Sequence, residues 1–196
     1  MPDLSRYKGI VFDMDGTLID SMGSHAVAWQ QTCEIFDIPY DEQYIHALGG
    51  VPTRQIVKLL NEKHGLNHDP DEVAKKKRHA WLALDENPAV IDDTFRVMQR
   101  YEGVLKMGIG TGSEHDNAIR MLTQTGLLDR VETVVTASDV TRGKPHEETF
   151  LSVAKNMGLN ADECVVFEDT EIGRQAAENA GMDCIMVING KIVLPV

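Results

Sequence analysis

Two aspartates spaced two residues apart, Asp13 and Asp15, close the apolar run Ile10-Val11-Phe12 and are followed by Gly16-Thr17-Leu18. Branched and aromatic residues favour a strand, a wholly apolar strand is one buried on both faces, and Gly16 allows a sharp turn behind it. The pair is therefore expected at the carboxyl end of a buried parallel strand, where α/β sheets bind their ligands. With an ordinary pKa of about 3.9, both groups are ionised at neutral pH. At ~4 Å and an effective dielectric of ~20 they repel by roughly 4 kcal/mol, so the pair demands a cation. A calcium loop starting at Asp13 is excluded, because its sixth position is Leu18 instead of glycine and its twelfth is Ser24 instead of glutamate. A chance acidic turn after a strand remains the plain alternative for this stretch taken alone.

Three later stretches could join it. Thr111-Gly112-Ser113 offers hydroxyls and free backbone N–H groups at a helix start, which suit a phosphate. The run Gly108-Ile109-Gly110-Thr111-Gly112-Ser113 has serine where a dinucleotide loop needs its third glycine, which argues against a nucleotide there. Arg142-Gly143-Lys144-Pro145 places a lysine where Pro145 is expected to open a helix; a cation at that positive end is disfavoured unless it meets an anion. Glu168-Asp169 is a second carboxylate pair, for which capping of the following helix is the plain alternative. If these stretches converge, four carboxylates, a hydroxyl and an ammonium meet. Oxygen donors without histidine or cysteine select a hard cation, and one that keeps waters and accepts a phosphate oxygen is magnesium. Asp13 then fits a nucleophile that takes up the phosphoryl group, and Asp15 the acid that protonates the leaving alkoxide and afterwards activates water.

The rest of the chain supplies elements that could gather these groups. After the first strand, Asp20 or Ser21 can cap a helix with Ala26, Trp29, Cys33 and Phe36 on one face. A short helix from Asp41 ends at Gly49-Gly50, and Pro52 opens another that His64-Gly65 closes. Asp69-Pro70-Asp71-Glu72 starts a helix carrying Val73, Lys77, Ala80, Trp81 and Leu84. From Pro88 the rhythm alternates: helix Ile91 to Tyr101, strand Val104 to Gly110, helix Glu114 to Thr125, strand Val131 to Ala137, a helix ended by Gly158, strand Cys164 to Phe167, a helix ended by Gly181, and strand Cys184 to Ile188. This order predicts an α/β fold, a doubly wound parallel sheet with helices on both faces. Residues 1–20 and 88–196 would form the catalytic core, and 21–87 an inserted helical lobe over its carboxyl end.

Composition is that of an ordinary soluble protein of one or two domains. The 196 residues are 42% hydrophobic and 26% charged, enough to bury a core. A net charge of −12 repels nucleic acid and anionic membranes, and Lys75-Lys76-Lys77-Arg78 is too short a basic run to reverse that. Without a signal peptide or an apolar stretch of membrane length, a cytoplasmic protein is expected. Cys33, Cys164 and Cys184 form no C-x-x-C pair and read as free buried thiols.

In order, Asp13-Met14-Asp15-Gly16-Thr17, Thr111, Lys144 and Glu168-Asp169 resemble the four motifs of the haloacid dehalogenase-like phosphatases, a resemblance covering nearly the whole chain. It implies Asp13 as nucleophile, Asp15 as acid and base, and magnesium on Asp13, the Asp15 carbonyl, Asp169 and Glu168. It also implies phosphate binding by Thr111, Gly112 and Lys144. The 21–87 insertion resembles the small helical cap of the subgroup holding beta-phosphoglucomutase and small sugar-phosphate phosphatases, especially the fructose-1-phosphatase type. Within it His25, Thr53, Arg54 and Lys77 correspond to substrate or hinge positions, each with a structural alternative. His146-Glu147 departs from the subgroup's usual Ala-Pro after the lysine, and the tail beyond Ile188 is short. The expected partner is a small phosphorylated metabolite met by a monomer or weak dimer. A phosphatase and a phosphohexomutase both stand at this point. A phosphoacceptor of the receiver type is disfavoured, because the acid pair follows the first strand and a lobe covers it.

Overall fold

The structure is a computed structural model that describes residues 1–84 and 89–194. The chain runs β1 (Gly9–Phe12), β2 (Ile19–Asp20), α1 (Met22–Ile35), α2 (Glu42–Ala47), α3 (Thr53–His64), α4 (Pro70–Leu82) and β3 (Ala89–Val90). It continues through α5 (Asp92–Tyr101), β4 (Lys106–Gly110), α6 (His115–Gln124), β5 (Thr133–Val135), α7 (Glu148–Asn156), β6 (Cys164–Glu168), α8 (Glu171–Asn179), β7 (Asp183–Ile188) and β8 (Lys191–Val193). The main sheet has the order β5-β4-β1-β6-β7-β8. Every pairing is parallel except the last, where β8 turns back antiparallel on β7.

β1 lies between β4 and β6, and all four of its residues are buried. Successive strand side chains point to opposite faces. Ile10 and Phe12 accordingly pack with Val97, Met98 and Leu122 of α5 and α6, while Val11 packs with Phe150, Val153 and Ala176 of α7 and α8. Each such side chain, fully buried, stabilises the fold by about 1.5–3 kcal/mol. Helices α1 to α4 share a third cluster of Trp29, Cys33, Ile45, Ile56, Leu60 and Val73. Two of their residues, Ala28 and Trp81, belong instead to the cluster beneath the sheet.

Local signals behave as their chemistry dictates. Gly65 closes α3 in the left-handed region at φ 66°, and the Asp69 carboxylate accepts from the Asp71 amide at the start of α4. Cys33 and Cys164 are buried free thiols, each pushed up to about 11 by desolvation. Among the described residues no helix is long and apolar enough to cross a membrane.

Several elements depart from expectation. The antiparallel pair β2–β3 and the hairpin strand β8 were not foreseen, being two or three residues long and made only by their partners. β4 begins at Lys106 because the amides of Val104 and Leu105 bond the Tyr101 carbonyl in a tight turn. β5 is confined to Thr133–Val135 within the expected Val131 to Ala137. Pro145 does not open α7, which starts at Glu148; the Lys144–Pro145 peptide is cis. The expected boundary at 87/88 lies outside the described residues.

Candidate active site

The parallel register sets the site. Phe12 is opposite Ile109 on one side and Phe167 on the other, so Asp13, Thr111 and Glu168-Asp169 leave adjacent strands at one edge. Asp13 is held there by its backbone amide, which donates to the Phe167 carbonyl. From the loop before α7 comes Lys144, whose buried ammonium donates to Asp13 Oδ1 at 2.6 Å and Glu168 Oε2 at 2.8 Å. Glu168 Oε1 accepts from the Thr170 hydroxyl at 2.8 Å and from the amides of Asp169 and Thr170. The cap of α8 is Thr170, whose hydroxyl accepts from the Gly173 amide at 3.1 Å. Asp169 is thereby free of the structural duty that its sequence context had offered.

Asp13, Glu168 and Asp169 have carboxylate oxygens within 4.8 Å of one another. One ammonium cannot neutralise three carboxylates, two of them buried and the third, Asp169, half-buried. Burial, then the Glu168 charge, pushes Asp13 up to about 7 against the pull of Lys144. Burial, then the Asp13 and Glu168 charges, pushes Asp169 up to about 9. Burial alone would lower Lys144, but Asp13 and Glu168 outweigh it and hold the lysine above its usual value. The uncompensated negative charge and all-oxygen donor set fit a hard divalent cation such as magnesium.

Asp15 faces a different set of partners. Its Oδ1 accepts from the Ser21 hydroxyl at 2.6 Å and from His25 Nε2 at 3.1 Å, and its Oδ2 from the Ser113 hydroxyl at 2.8 Å. The Thr111 hydroxyl stands 3.4 Å from the same Oδ2. Burial by itself would raise this carboxyl, but His25 and the bonds from His25, Ser21 and Ser113 outweigh it and hold Asp15 well below the usual carboxylate range. A carboxylate only accepts, so His25 carries its proton on Nε2, and Nδ1 accepts from Lys77 Nζ at 2.6 Å. Burial and the neighbouring Lys77 charge lower His25, in keeping with a neutral ring. Burial likewise pulls Lys77 down to about 8.

A cavity opens between this edge and helices α1 to α4. It is lined by Asp13, Asp15, His25, Thr53, Lys77, Thr111 and Gly112 among the expected residues. Lys144, Glu168 and Asp169 stand behind Asp13, outside that lining. Arg54 does not reach it: this side chain is 65% exposed and pairs with Asp71 at 2.6 Å, because the position after Thr53 turns to the outer face of α3. The lining adds Glu42, His46, Arg78, Glu114 and Asn117, with Arg78 and Glu114 paired at 3.2 Å. Ser21, one of the two expected caps of α1 beside Asp20, stands at the cap position yet makes no cap bond and gives its hydroxyl to Asp15. No spacing rule announces such a partner, whereas Ser113 lay in a stretch already singled out. The loop 49–52 closes one side so tightly that a Cβ on Gly112 would overlap the Gly50 carbonyl.

Comparison with known proteins agrees with this geometry. Residues 10–187 match the haloacid dehalogenase-like hydrolase family. The chain is 38% identical over 185 residues to the fructose-1-phosphate phosphatase YqaB of Escherichia coli (strain K12), covering 93% of this chain and 97% of the relative. It is 26% identical over 195 residues to a beta-phosphoglucomutase of Bacillus subtilis (strain 168), covering 95% and 86%. A solved hydrolase from Pseudomonas syringae superposes with a TM-score of 0.85 at 26% identity, covering 93% of this chain and 85% of that one.

Proposed function

This chain belongs to the haloacid dehalogenase-like hydrolases, and on that premise we propose that it is a magnesium-dependent phosphatase of small sugar phosphates. The observation that carries the reading is that Asp13 and Asp15 line one cavity while Lys144, Glu168 and Asp169 gather directly behind Asp13. We further propose that residues 21–87 act as a cap that shapes this cavity and keeps bulk water out.

In this reading an Asp13 carboxylate oxygen attacks phosphorus, the ester P–O bond breaks, and the departing sugar oxygen takes a proton from Asp15. Asp15 then removes a proton from water, whose oxygen attacks the aspartyl-phosphate, releases inorganic phosphate and restores Asp13. The resting Asp15 is ionised, the state from which it can accept a proton in the second half. For the first half, an incoming phosphate's negative charge raises its proton affinity. Asp13, Glu168, Asp169 and the Asp15 carbonyl would hold magnesium, which when bound supplies positive charge against the phosphoryl oxygens. Lys144 keeps Asp13 and Glu168 apart and in place, and Thr111 and the Gly112 amide face the phosphate.

The mutase alternative is supported by the likeness to beta-phosphoglucomutase. A mutase must hold a second phosphate, and here the lining adds two carboxylates, Glu42 and Glu114. Arg78 is already paired with Glu114 and Arg54 faces Asp71 outside. This chemistry favours a monophosphate and hydrolysis. A panel of sugar monophosphates with magnesium should yield inorganic phosphate, and Asp13→Asn should abolish its release from all of them. With beta-glucose-1-phosphate and a trace of the bisphosphate, accumulation of glucose-6-phosphate in place of free phosphate would overturn the hydrolase assignment.

A further inference from the structure

Trp81 stands in the last turn of α4, one helical turn beyond Lys77, so both side chains project from the same face. Lys77 bonds the Nδ1 edge of His25. The Trp81 ring lies against the His25 face, with centroids 5.6 Å apart and planes 18° from parallel. The Arg120 guanidinium of α6 sits over the same indole, 4.7 Å from its centroid. Hydrogen bonds at Nε2 and Nδ1 act in the plane of the imidazole and resist rocking out of that plane, about the Cβ tether, only weakly. A flat ring stacked on its face removes that freedom.

We propose that Trp81 is a positioning residue, holding the His25 imidazole and through it the Asp15 carboxyl in the orientation needed to protonate the departing sugar oxygen. The inference rests on the reading of Asp15 as the acid. Two features separate the role from plain packing. Trp81 is buried in the cluster beneath the sheet, apart from the one shared by its own group of helices, so it references the imidazole to the sheet that carries Asp15. Trp81 Nε1 and Arg120 Nε are also buried without a hydrogen-bond partner among the described residues. Leucine and methionine would fill the space without those unpaired donors, and neither presents a flat face to the imidazole.

The test compares two leaving groups on the full chain with magnesium. A sugar alkoxide needs the proton, whereas p-nitrophenyl phosphate releases a stabilised phenolate that does not. Trp81→Leu should lower kcat for the best sugar phosphate by about tenfold or more, while p-nitrophenyl phosphate falls by less than about threefold. Trp81→Phe, which keeps a flat ring, should restore most of the loss. If Trp81→Leu does not fold, Arg120→Met gives the same comparison by removing the guanidinium that holds the indole in place. Equal losses on the two substrates, or Trp81→Phe as impaired as Trp81→Leu, would overturn the inference and leave the phosphatase reading standing. A wild-type protein that releases phosphate from neither substrate would overturn that reading, and this inference with it.

Discussion

Lys77 and Arg54 show how little a residue's type says until its surroundings are known. Lys77 is buried, contacts His25 and is drawn down to about 8 by desolvation. Arg54 is mostly exposed and paired with Asp71 in water, where such a pair contributes about 0–1 kcal/mol. Lys77→Met is therefore expected to lower kcat/KM for a sugar phosphate by roughly tenfold to a hundredfold through the loss of His25 alignment. Arg54→Ala should stay within about twofold in the same steady-state assay. Asp13 and Glu168-Asp169 were legible because each is an odd polar interruption at the end of an apolar strand, and Lys144 because a cation beside an expected helix start needs an anion. Ser21 was not, since a hydroxyl before a helix reads as a cap, and only the folded chain reveals that Asp15 lies closer to it than the amides of its own helix.

At the scale of elements, the contact between the loop 49–52 and the Thr111-Gly112-Ser113 loop is backbone against backbone, with no side chain able to yield. Gly112→Ala should push the two loops apart. We expect kcat/KM to fall by about tenfold or more, while the thermal midpoint moves by only a few degrees, as differential scanning fluorimetry would record. Thr170→Ala removes both the cap of α8 and a hydroxyl on Glu168, and should cost about 1–2 kcal/mol in a urea titration. Long apolar strands and capped helices were legible because their signals are local. β2, β3 and β8 were not, because strands this short exist only where a partner supplies the hydrogen bonds. Pro145 misled for a related reason: a proline after a lysine suits a helix start, yet the chain there is committed to delivering Lys144 to Asp13.

For the whole molecule, the acid cluster dictates how stability responds to pH. Asp13 and Asp169 have folded values of about 7 and about 9, above the ordinary 3.8. The folded state therefore keeps protons that the unfolded chain has already released, and these two groups lose stability as pH rises from about 4 to about 9. In chelator, the thermal midpoint should fall between pH 6 and pH 8.5, and magnesium should raise it more at the higher pH. A midpoint that rises across that range in chelator, or a magnesium effect that shrinks with pH, would contradict the charge count in the acid cluster. The seal of Gly50 on Gly112 carries a last consequence. Two abutting backbones leave no space between them for any part of a ligand, so that flank of the chamber sets a hard limit on bulk. Across a panel of sugar phosphates, turnover should drop sharply for those whose substituents would wedge the two loops apart.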